Sequence, residues 1–193
     1  MDSLLTSLLC TIVLLPSLYA IPEIEVLHRY EPLKERFLSR VVRQSNKACC
    51  GSEPLKLDMI FDLFQECKEE VGDVGKQNEG PCLFECAGKK LEVLDEDGKI
   101  KAEEYVELCQ KMAEGDEQLE EHIKDVCTTQ AEKAKDFPQN IQDKFKCKLD
   151  MLVAFQGTHI EILLNCPAEL KNNDAECEKM RENMKKQIQQ AQG

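Results

Sequence analysis

Cysteine is the residue type with the most evident chemistry in this sequence. Eleven cysteines occur in 193 residues. Ten of them follow residue 48: Cys49, Cys50, Cys67, Cys82, Cys86, Cys109, Cys127, Cys147, Cys166 and Cys177. An even number in a small extracellular chain predicts up to five disulfides. Zinc is the alternative, but it favours Cys-x2-Cys pairs or mixed clusters of cysteine and histidine. Neither occurs, so we predict disulfides, no metal and no cofactor.

The three histidines and the many carboxylates are the candidate acid–base groups of this sequence. His28, His122 and His159 stand in no nucleophile, metalloprotease or phosphate-loop motif, and we predict that the protein is not an enzyme. We expect His28 and His122 to face solvent. His159 lies beside an apolar run, so we expect a helix-surface or hydrogen-bonded histidine. A pocket-lining or pH-sensing role is the alternative.

The acidic run that ends at Gly98 has a partial likeness to a calcium-binding loop. If Gly98 takes the sixth position, Asp95 and Glu104 fall on ligand positions, but Val93 takes the first. Because the first carboxylate is missing, we predict an ordinary turn. The net charge of −12 does not suit nucleic acid or an anionic membrane as a partner.

Residues 1–20 have the pattern of a secretory signal peptide. An apolar stretch of about a dozen residues is followed by the small residue Ala20. The stretch is too short for a membrane span, which takes roughly 20 apolar residues, and no later stretch is long enough. We therefore predict a secreted, extracellular protein without a membrane span. A buried or membrane-anchoring helix is the alternative.

Helical periodicity of apolar residues recurs along the rest of the chain, without strand-like alternation. It predicts an N-terminal helix within residues 21–48 and a second helix from Leu57 to Cys67. After a loop-like stretch at Gln77–Gly80, a helix carries Cys82 and Cys86 on one face. The fold class is therefore predicted to be all-α, a compact bundle of about six to eight helices stapled by disulfides.

Three further helices are predicted after the turn near residue 96. They occupy residues 101–113, a segment from Gly115 to near Ala134, and residues 141–164. The last is apolar on most sides, so we expect it to be the central, buried helix. Cys82 and Cys109 lie at nearly equal distances along the sequence from this turn. Their two helices should pair antiparallel, which makes a Cys82–Cys109 disulfide plausible. Cys49 and Cys50 are adjacent, so each should have a different partner.

The arrangement of cysteines resembles the insect odorant-binding proteins, in particular the Plus-C subgroup with extra cysteines. The features are Cys82-x3-Cys86 followed by an Asp-Gly turn, the gap from Cys86 to Cys127, Cys166-Pro167 with Cys177 beyond, and Cys49-Cys50. The resemblance covers roughly residues 49–177. We therefore divide the chain into a signal peptide (1–20), an N-terminal helical extension (21–48), an odorant-binding-protein-like domain (49–177) and a polar C-terminal tail (178–193).

The resemblance also implies a disulfide pattern. It pairs Cys67 with Cys86 and Cys127 with Cys166. The fifth cysteine of the family is replaced by Gly157, which leaves Cys82 without its usual partner and available for Cys109. Cys49, Cys50, Cys147 and Cys177 would form two more bonds whose pairing stays open.

The resemblance further implies an apolar ligand cavity inside the bundle, which a disulfide-stapled shell could keep open. Candidate pocket residues are Phe64, Phe84, Leu91, Tyr105, Leu108, Phe145, Leu149, Leu152, Val153, Phe155, Ile160 and Leu163. For any one of them, ordinary core packing is the alternative. Tyr105 is the candidate for a hydrogen bond to a ligand oxygen.

The function implied is extracellular transport of small hydrophobic ligands, odorants or pheromones, in chemosensory fluid. One alternative is a secreted carrier of lipophilic ligands outside olfaction. Another is a secreted, disulfide-rich protein-interaction module with a filled core. A small hydrophobic molecule is the expected partner, and contact with a chemoreceptor or a second copy of the chain is left open.

Overall fold

A computed structural model describes residues 47–192, and in that range the chain forms seven helices and no named strand. They are α1 (Asp58–Val71), α2 (Lys76–Lys90), α3 (Ala102–Met112), α4 (Glu117–Lys135), α5 (Gln139–Gln142), α6 (Asp150–Leu164) and α7 (Ala175–Gln192). The all-α prediction is confirmed. The predicted signal peptide and the helix within residues 21–48 lie outside the described residues, apart from residues 47 and 48.

Local sequence explains where α1, α2 and α4 begin and which faces they bury. In α1, Ile60, Phe64 and Cys67 recur at helical spacing and are buried. α4 has a side-chain cap, because Asp116 accepts a hydrogen bond from the backbone N–H of Leu119 at 3.1 Å. α2 begins at Lys76, so the predicted loop at Gln77–Gly80 is wrong. Its start is set instead by Gly75, whose φ is 78°.

The N-terminal turn of the described chain is fastened to the start of α4. Asp116 accepts hydrogen bonds from the backbone N–H of Ser52 at 2.6 Å and from the Ser52 hydroxyl at 2.8 Å. These bonds lower the pKa of the Asp116 carboxyl, and the bond from the Ser52 backbone N–H has the largest effect. Gly51 has a φ of 88°, and a Cβ there would lie 2.8 Å from Leu119 Cδ2. A glycine is therefore required where this turn meets α4.

α6 lies at the centre of the bundle, as predicted for the apolar C-terminal helix region. It packs against α2, α4 and α7. The prediction of one continuous helical region from residue 141 to 164 is wrong, because α5 ends at Gln142 and α6 begins only at Asp150. The Gln142 side chain explains the interruption. It donates to the carbonyl of Cys147 at 2.9 Å and accepts from the N–H of Leu149 at 2.9 Å, which stabilises a turn in place of helix.

The predicted turn near residue 96 is confirmed, but the predicted helix pairing around it is wrong. The turn is closed by hydrogen bonds from Asp95 N–H to the Lys99 carbonyl at 2.9 Å and from Lys99 N–H to Asp95 Oδ1 at 2.8 Å. Beyond it the chain changes direction, so that α3 packs along α4 while α2 packs along α1 and α6. Cys82 and Cys109 are consequently carried by helices that are not close neighbours.

Five disulfides join the ten cysteines of the described chain: Cys49–Cys177, Cys50–Cys166, Cys67–Cys86, Cys82–Cys147 and Cys109–Cys127. The Cys67–Cys86 bond agrees with the predicted pairing, and Cys49 and Cys50 have different partners as expected.

Two predicted pairings are wrong. Cys82 is bonded to Cys147, and not to Cys109, because the turn that precedes α6 lies over α2. Cys127 is bonded to Cys109, and not to Cys166, because α3 and α4 are neighbours along their length. Cys166 is therefore free to bond Cys50. The four cysteines whose pairing was left open thus form only one bond among themselves, Cys49–Cys177.

Candidate ligand-binding site

An aromatic cluster occupies the middle of the bundle. Ring centroids lie 5.0 Å apart for Phe64 and Phe84 and 5.3 Å apart for Phe84 and Phe155. Phe61 extends the cluster, with its ring 5.6 Å from that of Phe64. Phe84 and Phe155 are only 1% and 2% exposed. Three of the predicted pocket residues therefore meet, but they pack against one another as a core.

Tyr105 is fully buried and already has a hydrogen-bond partner. Its hydroxyl lies 3.0 Å from Thr158 Oγ1, which is itself 3.5 Å from Cys127 Sγ. Burial raises the pKa of the Tyr105 phenol, because the phenolate is disfavoured away from water. A ligand oxygen would therefore compete with Thr158 for this hydroxyl.

The other predicted pocket residues are spread around the bundle. Leu108 and Leu149 are buried, while Leu91, Leu152 and Val153 are half-buried against the main core. Phe145 is half-buried in the turn before α6.

Ile160 and Leu163 belong instead to a second, smaller apolar cluster where α6 meets α7. Its buried members include Cys49, Cys177 and Met184. Of the twelve predicted residues, Leu163 also lines a surface cleft between segment 49–57, α6 and α7.

A surface cleft lies between the segment 49–57, α6 and α7. Its cavity volume is about 40 Å³, and its lining is mostly apolar: Lys47, Cys49, Cys50, Glu53, Leu55, Leu57, His159, Ile162, Leu163 and Met180. Pockets for drug-sized ligands have volumes of about 300–1,000 Å³, whereas this cleft has room for a few water molecules. A ligand of appreciable size would bind here only if side chains moved.

The backbone around the cleft is held by two disulfides and several hydrogen bonds. Cys50–Cys166 joins the N-terminal wall to the end of α6, and Cys49–Cys177 joins it to α7. Gly51 N–H donates to the Leu170 carbonyl at 2.8 Å. These links bring together segments that are more than 100 residues apart in sequence.

Arg181 fixes α7 to the same wall from inside the protein. The residue is 2% exposed. Its guanidinium donates to the carbonyls of Asn172 at 2.5 Å and Cys49 at 3.4 Å, and to Glu178 Oε1 at 2.8 Å. A buried arginine needs such partners because an unpaired buried charge is costly. The arginine therefore orders the α7 side of the cleft.

The polar groups of the cleft carry little unpaired charge. Lys47 Nζ lies 2.8 Å from Asp174 and 3.6 Å from Glu176, and the hydrogen bond to Asp174 is the main cause of its raised pKa. Burial lowers the pKa of His159 to about 4, although part of the residue remains exposed. His159 is therefore uncharged at neutral pH. His122, predicted to face solvent, is half-buried on α4.

Sequence reasoning missed most of the cleft. Leu55, Leu57, Ile162 and Met180 were absent from the predicted pocket, as were Lys47 and Glu53. The signal that would have found them is the correct pairing of Cys50 with Cys166, because it brings residues 50–57 beside the end of α6.

Residues 47–192 contain no cluster of three potential metal ligands. Nor does this part of the chain include a helix both long and apolar enough to cross a bilayer.

The chain is similar to general odorant-binding protein 19d of Drosophila melanogaster. The two sequences are 32% identical over 81 residues, which cover 36% of this chain and 54% of the relative. The chain thus spans about half the length of the curated relative that it matches. No protein-family model matches the chain, and no solved structure matches it.

Proposed function

We propose that this protein binds small hydrophobic molecules outside the cell and carries them through an aqueous fluid. The observation that carries the proposal is the similarity to an odorant-binding protein. The relative's name describes a binding protein, which favours reversible binding over catalysis. The all-α, disulfide-joined bundle of this chain is compatible with such a role.

Extracellular localisation is part of the proposal. Five disulfides persist in oxidising compartments and are rare in the cytosol. The signal-peptide pattern of residues 1–20 supports the same localisation.

Binding would be driven by transfer of apolar ligand surface from water, at about 25 cal/mol per Å² buried. Two places in the bundle offer apolar surface. One is the middle of the main core around Phe64, Phe84 and Phe155, where a ligand would separate packed aromatic rings. The other is the cleft between segment 49–57, α6 and α7.

The finer assignment is an odorant or pheromone carrier of chemosensory fluid, related to the Plus-C subgroup. The disulfides beyond the family's usual set support a relationship of this chain to that subgroup. The same chemistry would serve a carrier in another secretion, and the tissue of expression distinguishes the two.

A second candidate function is favoured by one specific observation. The aromatic rings of α1, α2 and α6 fill the middle of the bundle. A filled interior suits a secreted module that binds another protein through its surface.

Titration of the oxidised protein with the apolar fluorophore N-phenylnaphthylamine tests both candidates. A carrier is expected to bind the fluorophore in the micromolar range or tighter and to release it when small apolar competitors are added. Absence of binding to the folded, fully oxidised protein would contradict the carrier function and favour the protein-interaction module.

A further inference from the structure

We propose that the cleft between segment 49–57, α6 and α7 is a binding site for a small, neutral, apolar molecule, with Met180 as the side chain that adapts to it. The proposal rests on the carrier function proposed above. The ligand would therefore bind at this cleft and not in the aromatic middle of the bundle.

The backbone around the cleft is held rigidly by covalent and hydrogen bonds. Disulfides at Cys49 and Cys50 hold one wall, and the buried Arg181 binds that wall to α7 through the Cys49 carbonyl. Met180 lies in α7 between Cys177 and Arg181, so its backbone is fixed on both sides. A site whose frame is already ordered loses less entropy when a ligand binds.

The side chains that line the cleft can move within this rigid backbone frame. Met180 on α7 and Leu55 in segment 49–57 both line the cleft and are half-buried. Methionine is unbranched and has three rotatable bonds, so it adapts to differently shaped neighbours. Rotation of Met180 would enlarge the cleft without moving α7, whereas ligand entry at Phe84 and Phe155 would break existing ring contacts.

The cleft is lined by residues of both apolar clusters. Leu57 and Ile162 belong to the main core. Leu163 and Met180 belong to the second cluster, where α6 meets α7. A ligand between them gains apolar contacts on both sides.

Charge determines the class of ligand. Lys47 is engaged by Asp174 and Glu176, so it does not present an unpaired cation to a carboxylate ligand. Glu53 adds a negative charge to the lining, and His159 is neutral at the pH of most extracellular fluids. These groups disfavour an anionic ligand such as a fatty acid, and the mostly apolar lining favours an uncharged molecule.

The test uses the oxidised protein from residue 21 to residue 193, without the predicted signal peptide, and the fluorophore N-phenylnaphthylamine. Met180→Trp and Leu55→Trp each fill the cleft from one side, and we expect each to weaken binding about tenfold or more. Lys179→Trp is the matched control, because Lys179 is the exposed neighbour of Met180, and its affinity should stay within about twofold of wild type. Circular dichroism and intact mass verify that each variant is folded and oxidised.

A second measurement needs no substitution at the site. Hydrogen peroxide converts accessible methionine to the sulfoxide, and peptide mass spectrometry follows each residue separately. Saturation with the fluorophore should slow oxidation of Met180 severalfold. Met59, which is half-buried in α1 and does not line the cleft, should react at an unchanged rate.

The outcomes separate this proposal from the proposed function. If wild-type protein binds no fluorophore, the carrier function fails and the cleft assignment fails with it. If wild type binds but the two cleft variants bind equally well and Met180 is not protected, the cleft assignment is wrong and the function stands. Leu152 is one of the predicted pocket residues outside the cleft. If Leu152→Trp weakens fluorophore binding and the two cleft variants do not, the ligand binds among the core residues.

Discussion

Gly157 illustrates how one residue sets the distance between two helices. It lies in the middle of α6, and a Cβ at this position would lie 2.9 Å from the Cδ of Gln130 on α4. Gln130 is 6% exposed, so its side chain has little space in which to move. The position where the resemblance expects a cysteine is therefore adapted here to close packing of α4 on α6.

Gly157→Ala should destabilise the protein by about 1–3 kcal/mol, because the added methyl group overlaps the buried Gln130 side chain. The matched control is the same substitution in a Gln130→Ala background, where the overlapping side chain is absent. There Gly157→Ala should stabilise the protein by about 0.5–1 kcal/mol through helix propensity alone. Urea unfolding of both variants checks the prediction, and equal stabilisation would show that Gln130 moves freely.

His159 should make the protein less stable in acid. Its pKa is lowered to about 4 in the folded protein, against an ordinary value of 6.5. The unfolded chain therefore takes up a proton that the folded protein refuses, so stability present above pH 6.5 is lost as the pH falls toward 4. In His159→Gln, the free energy of unfolding should fall by roughly 1–3 kcal/mol less over this pH range than in wild type.

Urea midpoints measured across this pH range test the effect, and parallel curves for His159→Gln and wild type would contradict it. Asp150 acts in the opposite direction, because burial raises its pKa. Its contribution to stability grows as the pH falls, so it offsets part of the loss in wild type and variant alike.

At the scale of elements, α7 is attached to the bundle differently from the other long helices. It packs on α6 through the second apolar cluster, which is separate from the main core. The Cys49–Cys177 bond and Arg181 fix its N-terminal half. Met184 and Ile188 hold its C-terminal half through apolar contacts.

Removal of this disulfide should loosen α7 without unfolding the bundle. In Cys49→Ser/Cys177→Ser we expect faster amide exchange along α7 and little change in α3 and α4, because the main core is retained. Hydrogen exchange with mass spectrometry measures both regions. The matched control is Cys67→Ser/Cys86→Ser, which should leave α7 protected. Faster exchange in all helices of the first variant would contradict the prediction.

Helix existence followed from sequence, but helix pairing did not. The spacing of Ile60, Phe64 and Cys67 predicts α1 because local periodicity determines which face is buried. The expected bond from Cys82 to Cys109 failed because apolar spacing carries no information on where a chain goes after a turn. Residues Leu94 to Ile100 close a short bridge and direct α3 toward α4.

At the scale of the molecule, the disulfide pattern is a direct test of the fold. Digestion of the oxidised protein without reduction should release peptides joined as Cys67–Cys86, Cys82–Cys147 and Cys109–Cys127. The peptide that contains both Cys49 and Cys50 should be joined to those of Cys177 and Cys166 in one three-peptide species, and fragmentation should assign Cys49 to Cys177 and Cys50 to Cys166. Each pairing follows from the adjacency of the elements that carry the two cysteines. Mass spectrometry identifies the pairs, and a Cys127–Cys166 peptide would contradict the packing of α3 on α4.

The candidate site was harder to predict than the fold for a physical reason. Phe64, Phe84 and Phe155 were predicted to face inward and do so, but sequence does not show whether inward-facing rings enclose space or fill it. The cleft depends on bonds that span 116 and 128 residues. Leu55 and Met180 become neighbours only through that long-range closure.

The adjacent bonds of Cys49 and Cys50 also bear on how long the protein would survive among extracellular proteases. Any peptide bond between residues 50 and 166 lies inside both covalent rings. A single cut in an exposed turn, such as the one at residues 95–97, would leave the two fragments covalently joined. The protein would persist as a nicked but undivided molecule until its disulfides were reduced.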